Sequence, residues 1–233
     1  MKRFMQIWIA TVAALVLSTM ALADGGNQLM QNQTHWYQKP VETVGPVSGF
    51  DAKNMTLLTL QPGSSLYMEG GSTLHAYQIN AHSLKGSATL KGSAADLAKA
   101  IKAGNVSTMT LVVPLSTFKS RESGLDNNAA KALKAKENPE IRFDLTKIKV
   151  KAGSGTNAYV MTAAGTLTIA GETAPVILTS NATIKGKQIF LKGVQKLKMT
   201  DFKITPPSIS LVVTSITCTD DIEVHYDLLF EAK

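Results

Sequence analysis

The chain has 233 residues, 44% of them hydrophobic, with a formal net charge of +7 and a single cysteine. That length and apolar content suit one domain with its own core, a size that all-β barrels often reach undivided. Cys218 has no partner for an internal disulfide, so packing must hold the fold. The lysines are scattered, with no arginine-rich or aromatic-interleaved run, which argues for a solvated surface and against a nucleic-acid partner.

Met1-Lys2-Arg3-Phe4 opens the chain with a short basic stretch, and an apolar run follows to about Met20. Ala21-Leu22-Ala23 has the small-x-small pattern of a signal peptidase site, so residues 1–23 read as a signal peptide cleaved after Ala23. No cysteine follows the run to carry a lipid, and no other stretch is apolar enough to span a bilayer. The expected mature protein starts at Asp24, is periplasmic or secreted, and carries +5 once Lys2 and Arg3 are gone. Residues 24–63 form a polar, turn-rich extension in which Trp36 and Tyr37 stand alone; it can add a strand near Met55. Residues 64–233 are the expected folded domain.

Residues 55–60 and 65–69 read as strands separated by Pro62-Gly63. Gly70-Gly71 predicts a break or bulge, after which strand character continues through residues 72–80. Leu84, Ala88 and Leu90 mark a return strand. Residues 96–102 form a short helix that Ser93 can cap and Gly104-Asn105 ends. Met109, Leu111, Val113 and Leu115 alternate as a half-buried strand. Over residues 123–134, Leu125, Ala129, Ala132 and Leu133 share one helical face, and Asn138-Pro139 stops that helix.

Ile141, Phe143 and Leu145 restart strand alternation, and a parity change at Ile148 and Val150 predicts a bulge near Thr146-Lys147. Next comes the clearest hairpin. Met161, Ala163, Leu167 and Ile169 are odd, Val176, Leu178, Ala182 and Ile184 are even, and Gly171 turns the chain between them. Pro175 fits near the start of the second strand. Ile189 and Leu191 begin another strand, residues 198–207 read as a loop, and Ile222, Val224, Tyr226, Leu228 and Phe230 form a long last strand. Its Glu223, His225 and Asp227 should face solvent. The sum is an all-β fold: an antiparallel barrel of about eight or more strands with one or two short helices.

Five stretches, in order, resemble the YceI-like family of lipocalin-like polyisoprenoid-binding proteins. They are Gly71-Ser72-Thr73-Leu74-His75; Val113-Pro114-Leu115-Ser116-Thr117-Phe118; Leu125-Asp126-Asn127 through Asn138-Pro139-Glu140-Ile141-Arg142-Phe143; Gly165-Thr166-Leu167-Thr168-Ile169-Ala170-Gly171 with Pro175-Val176; and Met199-Thr200-Asp201-Phe202 with Pro206-Pro207. The resemblance implies an exported barrel around an apolar cavity that takes an isoprenoid, quinone or other long amphiphile. Members often carry Gly-Ile after that Asp-Phe, where this chain has Lys203-Ile204, so the backbone beside Phe202 is a place to look for a conformation that favours glycine.

Alternation alone does not separate a hollow barrel from a filled one. With the resemblance, the inward residues Met109, Leu111, Val113, Phe143, Met161, Leu167, Leu191, Met199 and Phe202 become candidates for the ligand wall, and His75 or Tyr77 for the contact to a polar head. No catalytic residue, metal ligand or cofactor is expected. The histidines are His35, His75, His82 and His225 only, no Gly-x-Ser-x-Gly elbow exists, and Ser72 and His75 would point to opposite faces of a regular strand. Glu223 and His225, just after Asp220-Asp221, read as a solvated face and not as a metal site. Two other readings stay open: a structural or partner-binding barrel with a filled core, and an enzyme of unspecified reaction.

Overall fold

The structure, a computed structural model, describes residues 54–210 and 215–233. The expected signal peptide and the extension up to residue 53, with Trp36, lie outside them. Among these residues are twelve strands: β1 (Met55–Leu60), β2 (Ser65–Ser72), β3 (Tyr77–Ala81), β4 (Lys85–Lys91), β5 (Val106–Pro114), β6 (Phe118–Lys119), β7 (Glu140–Ala152), β8 (Ala158–Ile169), β9 (Glu172–Lys185), β10 (Gln188–Lys198), β11 (Ser208–Ser210) and β12 (Ser215–Ala232). The α-helices among the described residues are α1 (Leu97–Lys102) and α2 (Ser123–Ala132). Among the described residues no helix is long and apolar enough to cross a membrane.

Eight antiparallel strands close on themselves in the order β1-β4-β5-β7-β8-β9-β10-β12, and Leu58 opposite Ala232 joins β12 back to β1. Closure leaves no edge in that ring. Strand β1, from the segment assigned to the extension, is therefore a full stave. The remaining strands prolong the ring. β2 takes over from β1 along β12, β3 pairs β2, β6 pairs β3, and β11 pairs the start of β12. Where β1 gives way to β2 the ladder is kept by a side chain. Gln61 N–H donates to the Leu229 carbonyl at 2.8 Å, and Leu229 N–H donates to the Ser64 hydroxyl at 3.0 Å.

The β8–β9 hairpin keeps the two parities: Leu167 faces Ala174, Gly165 faces Val176 and Ala163 faces Leu178. Its turn is the two residues Ala170 and Gly171, with φ of 53° and 85°. Two positive φ values make the twist-matched hairpin turn, which glycine adopts freely and alanine only with strain. The bulge in β7 lies between Leu145 and Lys147. The break expected at Gly70-Gly71 is different: β2 runs on to Ser72, and the irregularity falls in the facing strand, between Cys218 and Ile222. The strand expected across residues 72–80 is interrupted at Ser72, and β3 starts only at Tyr77.

One end of the barrel is filled. Leu58, Leu90, Ile184, Ile189, Leu228 and Phe230 project inward and are buried, and α1 closes that end with Leu97, Ala100 and Ile101. The Ser93 hydroxyl caps the turn leading into α1 by accepting from Ala95 N–H at 3.2 Å. Toward the other end, β9 and β10 pair only from Lys185 opposite Gln188 as far as Ser180 opposite Gly193, then separate. Pro175 lies in the separated stretch, so its missing N–H removes no bond toward β10. The segment after β10 packs there instead. Phe202, 2% exposed, buries itself with Ile204 against Ile169 and Ala170, and Lys203 Nζ reaches Glu172 Oε2 at 2.8 Å. Lys203 has φ 53°, the left-handed conformation that glycine would take without strain.

Candidate functional site

Beyond the filled end the barrel holds a cavity of about 340 Å³. Strands β2, β3, β5, β7, β8, β10 and β12 form its wall, and α2 lays its apolar stripe, Leu125, Ala129, Ala132 and Leu133, along it. Phe202 and Ile204 complete the wall from the segment after β10. At the rim stand Leu74 and Ile209, 65% and 44% exposed, together with His75 and Glu122.

The lumen stays open because of where three aromatic rings lie. Tyr226 crosses Gly193 on the neighbouring β10, Tyr77 crosses Gly70 on β2, and Phe143 lies against Gly165 on β8. A Cβ at any of these glycines would collide with the ring beside it. Glycine in a strand commonly marks such a close approach. Each ring is thus laid along the wall and does not project across the cavity.

The few polar groups are mostly paired. The Tyr226 and Ser180 hydroxyls bond at 2.9 Å, and Tyr226 also reaches the Thr179 carbonyl at 3.4 Å. That carbonyl sits where β9 has just left β10, so the phenol supplies a partner the ladder no longer provides. Burial pushes the Tyr226 phenol above its ordinary value. Burial first, then the Cys218 side chain beside it, pushes the Tyr77 phenol well above its ordinary value. Gln195 Nε2 donates to the Lys196 carbonyl at 2.9 Å.

Ser72 and His75 form no nucleophile–base pair. The Ser72 hydroxyl accepts from the N–H groups of Leu74 and His75 at 3.2 and 3.1 Å and donates to the His75 carbonyl at 2.7 Å. His75 Nδ1 donates to the Ala76 carbonyl at 2.8 Å, and its Nε2 lies 3.9 Å from Glu122 Oε1, linking the β2–β3 turn to the start of α2. His225 is on the outer wall, as its parity required. It stacks on Tyr67 with centroids 4.5 Å apart, and its Nε2 lies 3.5 Å from Glu69 and 3.6 Å from Glu223. Among the described residues no group of three metal-binding side chains converges.

Of the apolar candidates, Leu111, Val113, Phe143, Leu167, Met199 and Phe202 line the cavity, as do His75 and Tyr77. Met109, Met161 and Leu191 face inward from the same strands but sit nearer the filled end and pack in its core. Sequence reasoning passed over Leu66, Met68, Leu197, Cys218 and Val224, which line the cavity too. Val224 shares the parity of Ile222 and Tyr226, so that signal was present. Leu66 and Met68 share one face of β2, but the side-chain-bridged gap that separates β2 from β1 leaves no clear register to its neighbours in the sequence. The apolar stripe of α2 was readable as a helix face; that it turns toward a hollow was not.

The arrangement can hold an apolar chain. It offers a greasy wall, paired polar groups and a partly polar rim, the usual composition of a small-molecule site. Known proteins agree with this fold. BcnA of Burkholderia cenocepacia is 17% identical, with a TM-score of 0.55 over 71% of this chain and 95% of its own. A polyisoprenoid binding domain from Saccharophagus degradans, implicated in plant cell wall breakdown, is 12% identical, with a TM-score of 0.56 over 76% of this chain and 98% of its own. No curated protein matches the chain. Residues 68–230, which run from β2 through β12 and include both helices, match the YceI-like domain, and the chain belongs to that family.

Proposed function

We propose that the protein binds and carries a long-chain amphiphile of isoprenoid or quinone type in an exported, aqueous compartment. The apolar cavity carries this reading, supported by the family and by the likeness to a polyisoprenoid binding domain. The chain of the ligand lies among Leu111, Phe143, Leu167 and the α2 stripe, and its polar end stays near His75 and Tyr77. Magnitudes favour a long chain. Each buried methylene contributes about 0.8 kcal/mol, whereas association itself costs roughly 4–15 kcal/mol. A chain of about five carbons therefore breaks even at best, and useful affinity needs a tail several times longer. Binding without catalysis is the reading favoured, supported by the Ser72 hydroxyl and His75 Nδ1 at the rim each donating to a backbone carbonyl.

The test is extraction of the purified protein with organic solvent and mass spectrometry of the extract, followed by uptake of a fluorescent isoprenoid by the stripped protein. One bound amphiphile per chain, competing with the probe, is expected. A protein that emerges lipid-free and takes up no long-chain probe would return the barrel to a structural or partner-binding role. Export is tested separately, by the mature N-terminus recovered from a periplasmic or secreted fraction; a chain retaining residues 1–23 refutes cleavage after Ala23.

A further inference from the structure

The lysines that look scattered along the chain gather at the filled end of the barrel. Lys99 and Lys102 stand on α1, Lys149 and Lys151 at the end of β7, Lys185 at the end of β9 and Lys187 in the β9–β10 turn. Contacts bring these elements together. α1 packs on β4 and β7, Ile184 N–H donates to Asn157 in the β7–β8 turn at 3.0 Å, and Ala232 N–H donates to the Lys187 carbonyl at 2.9 Å. All six side chains are exposed. Ion pairs elsewhere in the described residues engage Lys119, Arg142, Lys192, Lys196, Lys198 and Lys203, and none engages these six. Among the described residues the acidic side chains at this end are Asp96 and Glu231. The others among the described residues lie at mid-barrel or toward the mouth, where lysines and arginine meet them. The excess positive charge of the described residues is thus polarised along the barrel axis.

We propose that the filled end is a docking face for an anionic lipid surface. Charge complementarity selects that occupant. The patch is built of lysine without arginine, and lysine acts as a hydrated point charge that does not need the forked geometry of base or phosphate recognition. The charges are spread around a convex end on several elements, which suits a plane of headgroups better than a groove-following strand. Two apolar side chains stand beside them: Leu57, 44% exposed on β1, and Phe190 on β10, whose ring has Lys185 Nζ 5.5 Å from its centroid. Apolar side chains among lysines are what a headgroup boundary accommodates. Docking by this end turns the cavity mouth away from the surface, toward the aqueous side.

The test is co-sedimentation of the protein with vesicles of phosphatidylglycerol and of phosphatidylcholine, at low and at physiological salt. Binding to the anionic vesicles alone, weakened by salt, is expected. Lys149→Glu/Lys151→Glu should weaken it by at least about 30-fold, from roughly fivefold per lysine lost at an anionic surface. Lys131→Glu/Lys136→Glu removes the same charge from the mouth end and should leave binding within about twofold of the parent, because charges beyond a Debye length of the surface are screened. Three results overturn the proposal: equal loss in both variants, equal binding to both vesicle types, or no vesicle binding. Binding of duplex DNA without vesicle binding would assign the face to nucleic acid and also overturn it. Circular dichroism of each variant checks that its fold is intact.

Discussion

Gly193→Ala tests the idea that rings laid over glycines keep the lumen open. A Cβ at position 193 would meet the Tyr226 hydroxyl and its ring carbon, and also the Thr179 carbonyl oxygen at 2.9 Å. The oxygen belongs to the backbone and yields little, so the ring must leave. Forcing one methyl into a packed position costs about 1–3 kcal/mol. A displaced ring also abandons the Ser180 hydroxyl, which is only 8% exposed, and a buried polar group left unpaired costs a further 1–3 kcal/mol or about that. The expected loss is about 2–6 kcal/mol, and at roughly 2–4 °C per kcal/mol for a domain of this size the melting temperature should fall by about 10 °C.

Urea and thermal unfolding followed by circular dichroism measure this. The decisive comparison is a double-mutant cycle with Tyr226→Leu. Once the ring is gone, alanine at 193 still meets the Thr179 carbonyl oxygen, so part of the packing cost stays while the cost owed to the ring and its Ser180 partner disappears. A coupling of at least about 1 kcal/mol is therefore expected. If Gly193→Ala costs the same in both backgrounds, the ring does not depend on that glycine and the explanation of the open lumen fails.

Gly165→Ala should be comparably destabilising, because its Cβ meets both the Phe143 ring and the Asp144 carbonyl; calorimetry showing a loss under about 1 kcal/mol would contradict the packing. Leu167→Trp fills the cavity from its wall, so uptake of a fluorescent isoprenoid should fall more than tenfold while unfolding stays within about 1 kcal/mol of the parent. Tyr77 and Tyr226 both have raised phenol values, so above the ordinary tyrosine value near 10 the unfolded chain sheds protons that the folded barrel keeps. Stability should hold below pH 10 and decline as pH rises beyond it, less steeply in Tyr226→Phe; a flat alkaline profile up to pH 12 contradicts this. Lys203→Gly should change stability by less than about 1 kcal/mol, because relief of a left-handed lysine offsets an exposed ion pair, whereas Lys203→Ala loses the pair and keeps the strain; equal effects of the two variants would argue against strain at 203.

The strand faces were legible and the depth along them was not. Leu167 and Met161 share a parity, and so do Leu111 and Met109, because a period of two reports which side of the sheet a residue faces. It says nothing about how far up the barrel the residue stands. That coordinate depends on register between strands distant in sequence, such as Leu191 opposite Leu228, which no local pattern contains. The same limit hid the basic end: Lys99, Lys149 and Lys187 are isolated in the chain and meet only when α1, β7 and the β9–β10 turn are brought to one rim. Ser72 and His75 were misplaced for a different reason. A hydroxyl bonding its own turn replaced the strand that propensity suggested, a competition in which serine often prevails.

The glycines close the argument between the filled and the hollow half. In the filled half large inward side chains pack against one another, as with Leu90, Ile184, Leu228 and Phe230. In the hollow half, Gly70, Gly165 and Gly193 leave three places on the wall empty, and the large rings of Tyr77, Phe143 and Tyr226 occupy them from the adjacent strand. The largest side chains at that level are therefore spent on covering the wall, and the axis is left to Leu111, Leu167 and the α2 stripe, which stop short of it. A barrel of eight strands is wide enough to be packed solid or to hold one small ligand, and side-chain size at facing positions decides which. Glycine opposite an aromatic across a strand pair, or diagonal to one as Gly165 is to Phe143, is thus the sequence feature that bears on hollowness, and it becomes visible only once the pairing is known.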